Sequence, residues 1–237
     1  MKTSVVIGGS RGIGLAIYKS LKNRGDNVYV LSRNSHPSEE NHIVFDLMSE
    51  NFSNDCAKIL NKISSIDNLI FCQKNRMKVD DYDYEFNLGV RSVYKFINNV
   101  KDHLQKNGSI IAMGSPAGQF IINDQTLAYH ASKAALEQLV RYYAVKLGSS
   151  GVRVNCVLPG TVKKQENTSF YDNNDELKAL FKKMIPLARQ GTSEDVANLV
   201  DFLCSDKSSF ITGQSFYVDG GLSILGQEAL VRSISGI

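Results

Sequence analysis

A tyrosine and a lysine stand four positions apart in the segment AYHASKAALEQL, at Tyr129 and Lys133. Residues at i and i+4 share one face of a helix, so the segment predicts that the ammonium group lies close to the phenol. An ordinary phenol has a pKa of about 10 and is a slow acid–base group at neutral pH. A neighbouring cation stabilises the phenolate and helps proton transfer to a substrate oxygen. Taken alone, however, this spacing is common by chance.

Three glycines follow the first apolar run, in VVIGGSRGIGLAI, at Gly8, Gly12 and Gly14. Glycine is required where a chain turns sharply, or where its backbone approaches a pyrophosphate or a neighbouring strand. A helix that begins there offers free N–H groups and its positive end to phosphates. Because the glycines lie between a predicted strand and a predicted helix, they favour a dinucleotide-binding turn. The alternative is a tight turn without a ligand.

The end of the second apolar run, NVYVLSRN, bears on the choice of cofactor. A carboxylate there would hydrogen-bond a ribose 2′-hydroxyl and repel a 2′-phosphate. The sequence instead has Ser32 and Arg33, and Arg11 lies in the glycine turn. Two guanidinium groups are suited to clamp a 2′-phosphate. The sequence therefore predicts NADP(H) rather than NAD(H), with a solvated Arg33 as the alternative interpretation.

Short β-branched runs alternate with longer amphipathic segments along the chain. The predicted strands are Ser4–Ile7, Asn27–Leu31, His42–Phe45, Asn68–Phe71, Ser109–Met113, Val152–Val157 and Ser215–Val218. The predicted helices are Ile13–Arg24, Ser53–Lys62, Tyr84–Leu104, Tyr129–Gly148 and Ser193–Cys204. This alternation predicts an α/β protein with a single-domain Rossmann fold over residues 1–237. Its core would be a doubly wound, seven-stranded parallel sheet with helices on both faces.

Two segments fall outside this alternation. The polar stretch Lys163–Lys183 predicts a mobile substrate loop or lid, taken to cover residues 163–190, or a solvated connection without a role. The tail Leu222–Ile237 is rather apolar and is a candidate for packing on a neighbouring subunit.

Composition and charge argue against several classes of function. The chain has 237 residues, 43% of them hydrophobic and 22% charged, with a formal net charge of +3 and mixed signs. This is ordinary for a globular protein and makes nucleic acid a weak candidate partner. The scattered cysteines and histidines match no metal-ligand spacing or disulfide framework. No stretch is long enough to cross a membrane, and free thiols suit a reducing compartment, so a cytoplasmic protein is expected.

The chain resembles the short-chain dehydrogenase/reductase family, in the branch that includes ketoacyl-carrier-protein reductases. The motifs that carry the resemblance, in family order, are GGSRGIG at 8–14, FNLGV around Asn87, GSIIAMGSPAG at 108–118, YHASKAAL at 129–136, GVRVNCVLPG at 151–160 and ITGQSFYVDGG at 211–221. The resemblance implies reduction of a carbonyl, or the reverse oxidation of an alcohol, with NADP(H). It also implies a homotetramer or homodimer.

The resemblance assigns roles to particular residues. Tyr129 would be the general acid that protonates the carbonyl oxygen, and Lys133 would stabilise its phenolate and hydrogen-bond the nicotinamide ribose. Ser115 would hold and polarise the substrate oxygen, and Asn87 would help to hold a water that links Lys133 to a proton relay. The cofactor-binding residues expected from the turn, the second strand and the family match are Gly8, Ser10, Arg11, Gly12, Ile13, Gly14, Ser32, Arg33, Asp46, Leu47, Tyr129, Lys133, Pro159, Gly160 and Val162.

Three positions depart from the family pattern. Residues 71–74 replace an Asn-Asn-Ala-Gly stretch, Lys164 stands where the family has threonine, and the loop from Ser115 to Tyr129 is one residue longer than usual. An unusual substrate explains these departures, and so does drift in a weakly active protein. The alternatives are an epimerase- or dehydratase-type step on a sugar or secondary metabolite, and an NADP(H)-binding regulatory protein with little turnover.

Overall fold

The predicted alternation of strands and helices is present in the structure, a computed structural model that describes residues 1–34, 41–75, 80–164 and 168–236. The strands are β1 (Thr3–Ile7), β2 (Asn27–Ser32), β3 (His42–Val44), β4 (Ile66–Phe71), β5 (Leu104–Met113), β6 (Arg153–Pro159), β7 (Val162–Lys163), β8 (Gly191–Thr192) and β9 (Ser215–Val218). The helices are α1 (Gly12–Asn23), α2 (Phe52–Lys62), α3 (Tyr82–Phe86), α4 (Ser92–Val100), α5 (Leu127–Gly148), α6 (Thr168–Asp172), α7 (Asp175–Met184), α8 (Ser193–Leu203) and α9 (Gln227–Ser235).

Seven of these strands form one sheet in the order β3-β2-β1-β4-β5-β6-β9, and every neighbouring pair is parallel. The predicted doubly wound parallel sheet is therefore confirmed. The short strands β7 and β8 form a separate parallel pair. The strand order reverses between β1 and β4, and in open α/β sheets this crevice at the carboxyl ends of the strands is where ligands bind.

Both faces of the sheet are covered by apolar side chains. One face packs against α2, α4 and α5, where the rings of Phe71 and Phe96 meet edge to face with their centroids 5.9 Å apart. The other face packs against α1 and α8 through fully buried side chains such as Ile17 and Val200. Burial on both faces explains why the strands read as nearly continuous apolar runs.

The predicted helix Tyr84–Leu104 is wrong in two respects. A π-helical turn, Asn87–Arg91, interrupts it, and Leu104 already belongs to β5, where it pairs with Ile66. In the turn the Ser92 N–H reaches back to the Asn87 carbonyl, and the Ser92 hydroxyl donates to the Leu88 carbonyl at 2.7 Å. The apolar spacing of the segment does not reveal one extra residue in a single turn.

The stretch predicted as a lid and the C-terminal tail both contain helices. The lid includes α6 and α7, and Lys163 forms an ion pair with Asp172. The tail forms α9, where the Ile234 carbonyl accepts a hydrogen bond from Lys183 Nζ of α7 at 3.3 Å. Residues 165–167 of the lid and residue 237 of the tail lie outside the described residues. Within the described ranges, no helix combines the length and apolar character needed to span a bilayer.

Candidate active site

The glycine turn joins β1 to α1 in a form that side chains would block. Gly8 and Gly12 have φ angles of +80° and +55°, in the left-handed region that favours glycine. A Cβ on Gly14 would lie 2.2 Å from the Gly8 carbonyl oxygen. In α1, which is described throughout, the first turn has no acidic residue and Arg11 makes no side-chain cap. The first N–H groups of the helix are thus available to an anion.

A cleft of about 330 Å³ opens beside this turn, at the carboxyl ends of β1, β2 and β4. Its lining includes these residues predicted to bind the cofactor: Gly8, Ser10, Arg11, Ser32, Arg33, Asp46 and Leu47. It also includes residues that were not assigned to the site from the sequence: Ile7, Leu31, Asn34, Phe45, Cys72, Gln73, Lys74 and Leu88. The cleft lies at the reversal of strand order, where the fold itself predicts ligand binding.

The polar side chains of the cleft are mostly basic. Arg11, Arg33 and Lys74 are exposed along its lining. Asp46 is the one carboxylate among the described lining residues, and its Oδ1 already accepts the Met48 N–H at 2.9 Å. Three cations around one locally engaged carboxylate give the cleft an electrostatic preference for an anionic ligand.

Gln73 is a cleft residue whose hydrogen bonds become visible in the structure. Its Nε2 donates to the Leu88 carbonyl at 3.4 Å, which connects the end of β4 to the π-helical turn. Its Oε1 is buried and has no hydrogen-bond partner among the described residues. A buried acceptor without a donor is costly, so this atom is suited to accept a hydrogen bond from a ligand. The sequence marked position 73 as a departure from the family pattern, at which Gln73 was a candidate to replace the hydrogen bonds of the missing stretch.

Tyr129 and Lys133 lie on the first turns of α5, which begins where the Thr126 hydroxyl oxygen accepts the Tyr129 N–H at 3.1 Å. Lys133 Nζ lies 5.5 Å from the centroid of the Tyr129 ring, so the predicted proximity of cation and phenol is present. Lys133 is 7% exposed, and its ammonium donates to the Met113 carbonyl at 3.0 Å. A buried cation held by a neutral carbonyl interacts strongly with nearby charge, since little water screens it.

Ser115 lies two residues beyond the Met113 carbonyl that holds Lys133. It is buried, and its Oγ accepts the Ala117 N–H at 3.2 Å, which caps a short 3-10 turn. The hydroxyl hydrogen is left free for another acceptor, because Oγ acts only as the acceptor in that bond. The lysine thus fixes the strand end that carries the serine.

Asn87 begins the π-helical turn that packs against α5. Its Oδ1 lies 3.5 Å from Arg91 Nη1, a long hydrogen bond. A Cβ on Gly89 in the same turn would lie 3.6 Å from the side chain of Ser132, the neighbour of Lys133. The turn therefore packs against α5 at Ser132, two residues along the turn from Asn87.

Pro159, Gly160 and Val162 lie at the end of β6 and in β7, outside the lining of the cleft. The Gly160 N–H donates to the Val218 carbonyl at 3.0 Å, and a Cβ on Gly160 would lie 2.6 Å from Asp219 Cβ. Strands β5 and β6 are neighbours in the sheet, so Pro159 follows the strand beside the one that leads to Ser115. Gly12, Ile13 and Gly14 also lie outside the lining of the cleft.

Cysteine chemistry is disfavoured at this site. Cys56, Cys72, Cys156 and Cys204 are free, and burial raises the pKa of each thiol to about 12. A thiol with so high a pKa is protonated at neutral pH and is a poor nucleophile. The acid–base chemistry available at the ends of β5 and β6 is that of the phenol, the ammonium group and the serine hydroxyl.

The sheet topology, the glycine turn and the anion-attracting cleft define a doubly wound α/β protein with a nucleotide-type crevice. The family described as Enoyl-(Acyl carrier protein) reductase matches residues 8–223. The 3-oxoacyl-(acyl-carrier-protein) reductase FabG of Chlamydia pneumoniae is 33% identical over 244 residues, covering 94% of this chain and 97% of the relative.

Solved structures give the same result. A short chain dehydrogenase family protein from Francisella tularensis is 30% identical, with a TM-score of 0.80 and coverage of 95% of this chain and 100% of that one. The aldohexose dehydrogenase of Thermoplasma acidophilum is 25% identical, with a TM-score of 0.83 and coverage of 95% of both chains. The chain belongs to the short-chain dehydrogenase/reductase family of oxidoreductases, in its ketoreductase-like branch, as the sequence motifs predicted.

Proposed function

We propose that this protein is an NADP(H)-dependent enzyme that interconverts a carbonyl and a secondary alcohol, with Tyr129 as the acid–base group. The observation that carries the proposal is the position of Lys133. Its buried ammonium lies 5.5 Å from the Tyr129 ring centroid and also holds the carbonyl of Met113, two residues before Ser115. One cation thus supports both side chains that would meet the substrate oxygen.

The cleft fits a phosphorylated dinucleotide. Gly8 and Gly14 leave room for backbone N–H groups to approach a pyrophosphate, and a side chain at Gly14 would collide with the turn. The unpartnered Gln73 Oε1 suits a ribose hydroxyl as its donor. Arg11 and Arg33 suit a 2′-phosphate, which supports NADP(H) over NAD(H).

When bound, the cofactor supplies the hydride for reduction or accepts it in oxidation. For reduction, the Tyr129 hydroxyl gives its proton to the carbonyl oxygen, and the Ser115 hydroxyl donates a hydrogen bond to the same oxygen. Lys133 stabilises the phenolate that remains. Asn87 helps to hold the water through which Lys133 regains contact with solvent protons. In alcohol oxidation the phenolate takes the proton instead.

Two substrate classes follow from the relatives. The FabG relative is named for 3-oxoacyl reduction, which supports a 3-oxoacyl compound as the carbonyl substrate. The aldohexose dehydrogenase supports oxidation of a sugar as the second candidate. Either substrate would leave the acid–base roles of Tyr129 and Lys133 unchanged. The cytoplasmic location and the homodimer or homotetramer stay predictions, the latter to be measured by light scattering.

The test is to purify the protein and follow NADPH absorbance in two parallel assays. The first offers ethyl acetoacetate with NADPH, and the second offers glucose with NADP⁺. We expect oxidation of NADPH in the first assay and a much weaker signal when NADH replaces it. A faster reaction with glucose would transfer the proposal to the second substrate class. A protein that turns over neither, while binding NADPH, would favour a regulatory role and contradict the proposed enzyme.

A further inference from the structure

The loop that joins Ser115 to Tyr129 is fixed near its start by two side-chain hydrogen bonds of Gln119. Gln119 Nε2 donates to Glu137 Oε2 at 2.9 Å, and the Tyr217 hydroxyl donates to Gln119 Oε1 at 2.7 Å. Glu137 is only 2% exposed. Burial and the nearby carboxylate of Glu137 raise the pKa of Tyr217, so its hydroxyl keeps the proton that it donates. This end of the loop is attached to α5 and β9.

The far end of the loop is held by the imidazole of His130. The Ile122 N–H donates to His130 Nε2 at 2.9 Å, and His130 Nδ1 lies 2.7 Å from the Thr126 carbonyl oxygen. Thr126 is also the residue whose hydroxyl caps α5 at Tyr129. The ring of His130 meets the ring of Tyr129 edge-on, with centroids 6.5 Å apart. One side chain therefore connects the loop, the helix start and the phenol.

The two partners of His130 determine the state of its ring. A carbonyl oxygen only accepts a hydrogen bond, so Nδ1 must carry a proton and donate to Thr126. A backbone N–H only donates, so Nε2 must be unprotonated to accept from Ile122. The ring is thus neutral, with its single proton on Nδ1. Both of its nitrogen atoms are used inside the protein, and the ring is held rather than offered to solvent.

Between the two fixed ends the loop presents an apolar pair. Phe120 is 47% exposed and Ile121 is 82% exposed. The Gln125 N–H donates to the Ile122 carbonyl at 3.0 Å and closes a turn just beyond them. The loop that carries these side chains is thus anchored on both sides, and its far anchor, His130, is the residue next to Tyr129. Loosening one anchor would let the apolar pair move relative to the phenol.

We propose that His130 is a positioning residue, which fixes the loop 119–125 beside Tyr129 and thereby sets the size of carbonyl substrate that reaches the phenol. The effect on substrate size rests on the proposed function, whereas the two hydrogen bonds of the His130 ring do not depend on it. The contact of Ile122 with the imidazole lies within the loop that is one residue longer than the usual family spacing.

Two conservative variants separate the two contacts of the ring. The side-chain amide of glutamine reaches the position of Nε2, so His130→Gln keeps an acceptor for the Ile122 N–H. The shorter asparagine reaches only the position of Nδ1, so His130→Asn keeps the Thr126 contact and loses that of Ile122. The probes are ethyl acetoacetate and the longer ethyl butyrylacetate. We expect His130→Asn to raise KM for the longer ester by about tenfold, the scale of one lost hydrogen bond.

The pattern of kinetic effects distinguishes positioning from a general loss of structure. In His130→Asn, kcat for ethyl acetoacetate should stay within about twofold of the unmodified protein, because no group that touches the substrate is lost. His130→Gln should restore KM for the longer ester. The matched control is His103→Asn, since His103 is partly exposed and lies in the 3-10 turn before β5, outside the loop 119–125. Equal KM values in the glutamine and asparagine variants would overturn the size-selection proposal.

Hydrogen exchange of the Ile122 amide provides a readout that does not need activity. The amide should exchange slowly in the unmodified protein and in His130→Gln, and at least about tenfold faster in His130→Asn. Equal exchange in all three proteins would overturn the positioning role even in an active enzyme. A protein that exchanges as expected but reduces neither ester would contradict the proposed function, and with it the selection of substrates, but not the hydrogen bond.

Discussion

Helix α5 carries a tyrosine–lysine pair near each end, and the two pairs have almost the same local geometry. Lys133 Nζ lies 5.5 Å from the Tyr129 ring centroid, and Lys146 Nζ lies 5.7 Å from the ring centroid of Tyr142. Their surroundings differ. Lys133 is 7% exposed and bonded to the Met113 carbonyl, whereas Lys146 is exposed in the last turn and Tyr142 is 55% exposed.

This difference shows what makes a pair chemically useful. An exposed ammonium group in water stabilises a neighbouring charge weakly, because solvent of high dielectric screens it. At the C-terminal end of the helix, Lys146 is better explained by a favourable interaction with the helix dipole. Lys133 is buried beside the strand end that leads to Ser115, where its charge acts at short range on the phenol. The same spacing therefore lies in a buried, polar setting at one end of α5 and on the exposed surface at the other.

The largest expected contrast comes from removing each ammonium group in turn. Lys133→Met should lower kcat by about a hundredfold to ten-thousandfold, the usual size of an acid–base contribution. The loss follows because the phenolate then forms without a nearby cation. The matched variant Lys146→Met should change kcat by less than about twofold, because that charge is exposed and distant from Ser115. Steady-state reduction of ethyl acetoacetate with NADPH measures both, and equal losses would contradict the comparison.

A smaller effect is expected in the cleft at the carboxyl ends of β1, β2 and β4, where the guanidinium group of Arg33 is exposed. Arg33→Ala should weaken NADPH binding by about tenfold to a hundredfold, as one charge-assisted hydrogen bond to phosphate is lost. NADH, which lacks the 2′-phosphate, should bind with nearly unchanged affinity. Titration calorimetry with both cofactors checks this expectation, with Arg141→Ala as the control from the exposed side of α5. Equal weakening for both cofactors would argue against a 2′-phosphate clamp at Arg33.

The smallest effect is expected from an ion pair that is remote from both tyrosine–lysine pairs. The hydrogen bond from Arg189 lowers the pKa of Asp195 to about 2, and Thr192 N–H also donates to this carboxylate. A depressed pKa adds stability above the unfolded value of about 3.9, and that stability is lost as pH falls towards about 2. Asp195→Asn should therefore lower Tm at neutral pH by about 2–4 °C, with no change in kcat.

The melting temperatures of Asp195→Asn and the unmodified protein should converge as the pH is lowered from about 4 to about 2, and calorimetry over that range measures the difference. A difference in Tm that stays constant down to the lowest pH would show that the ion pair is not its source. A change in kcat would show that this region is coupled to α5.

Much of the fold is predictable because burial on both faces of a parallel sheet leaves a clear pattern. The strand Ser215–Val218 has the same bounds in the prediction and in the structure. The helix prediction from Tyr84 failed at the π-helical turn and at Leu104, because apolar spacing is insensitive to one inserted residue and to the first residues of a strand. The segment with the error is also the one that carries Asn87.

The candidate site was predictable only where several motifs agreed. The spacing of Tyr129 and Lys133 predicted their proximity, yet Tyr142 and Lys146 have the same spacing. Only the surrounding motifs therefore identified Tyr129 and Lys133 as the candidate acid–base pair. Gln73 and His130 could not be assigned from the sequence. Their partners are the Leu88 carbonyl and the Ile122 N–H, backbone atoms whose positions depend on packing between distant segments.

A side-by-side measurement of two variants tests most directly whether the partly buried Tyr129 phenol of α5 transfers the proton. Tyr129→Phe and Tyr142→Phe each remove one hydroxyl from the same helix and keep the ring. In NADPH-dependent reduction of ethyl acetoacetate, Tyr129→Phe should abolish measurable turnover while NADPH affinity stays within about threefold. Tyr142→Phe should retain the full rate. Turnover retained in Tyr129→Phe at a level close to that of Tyr142→Phe would contradict the account.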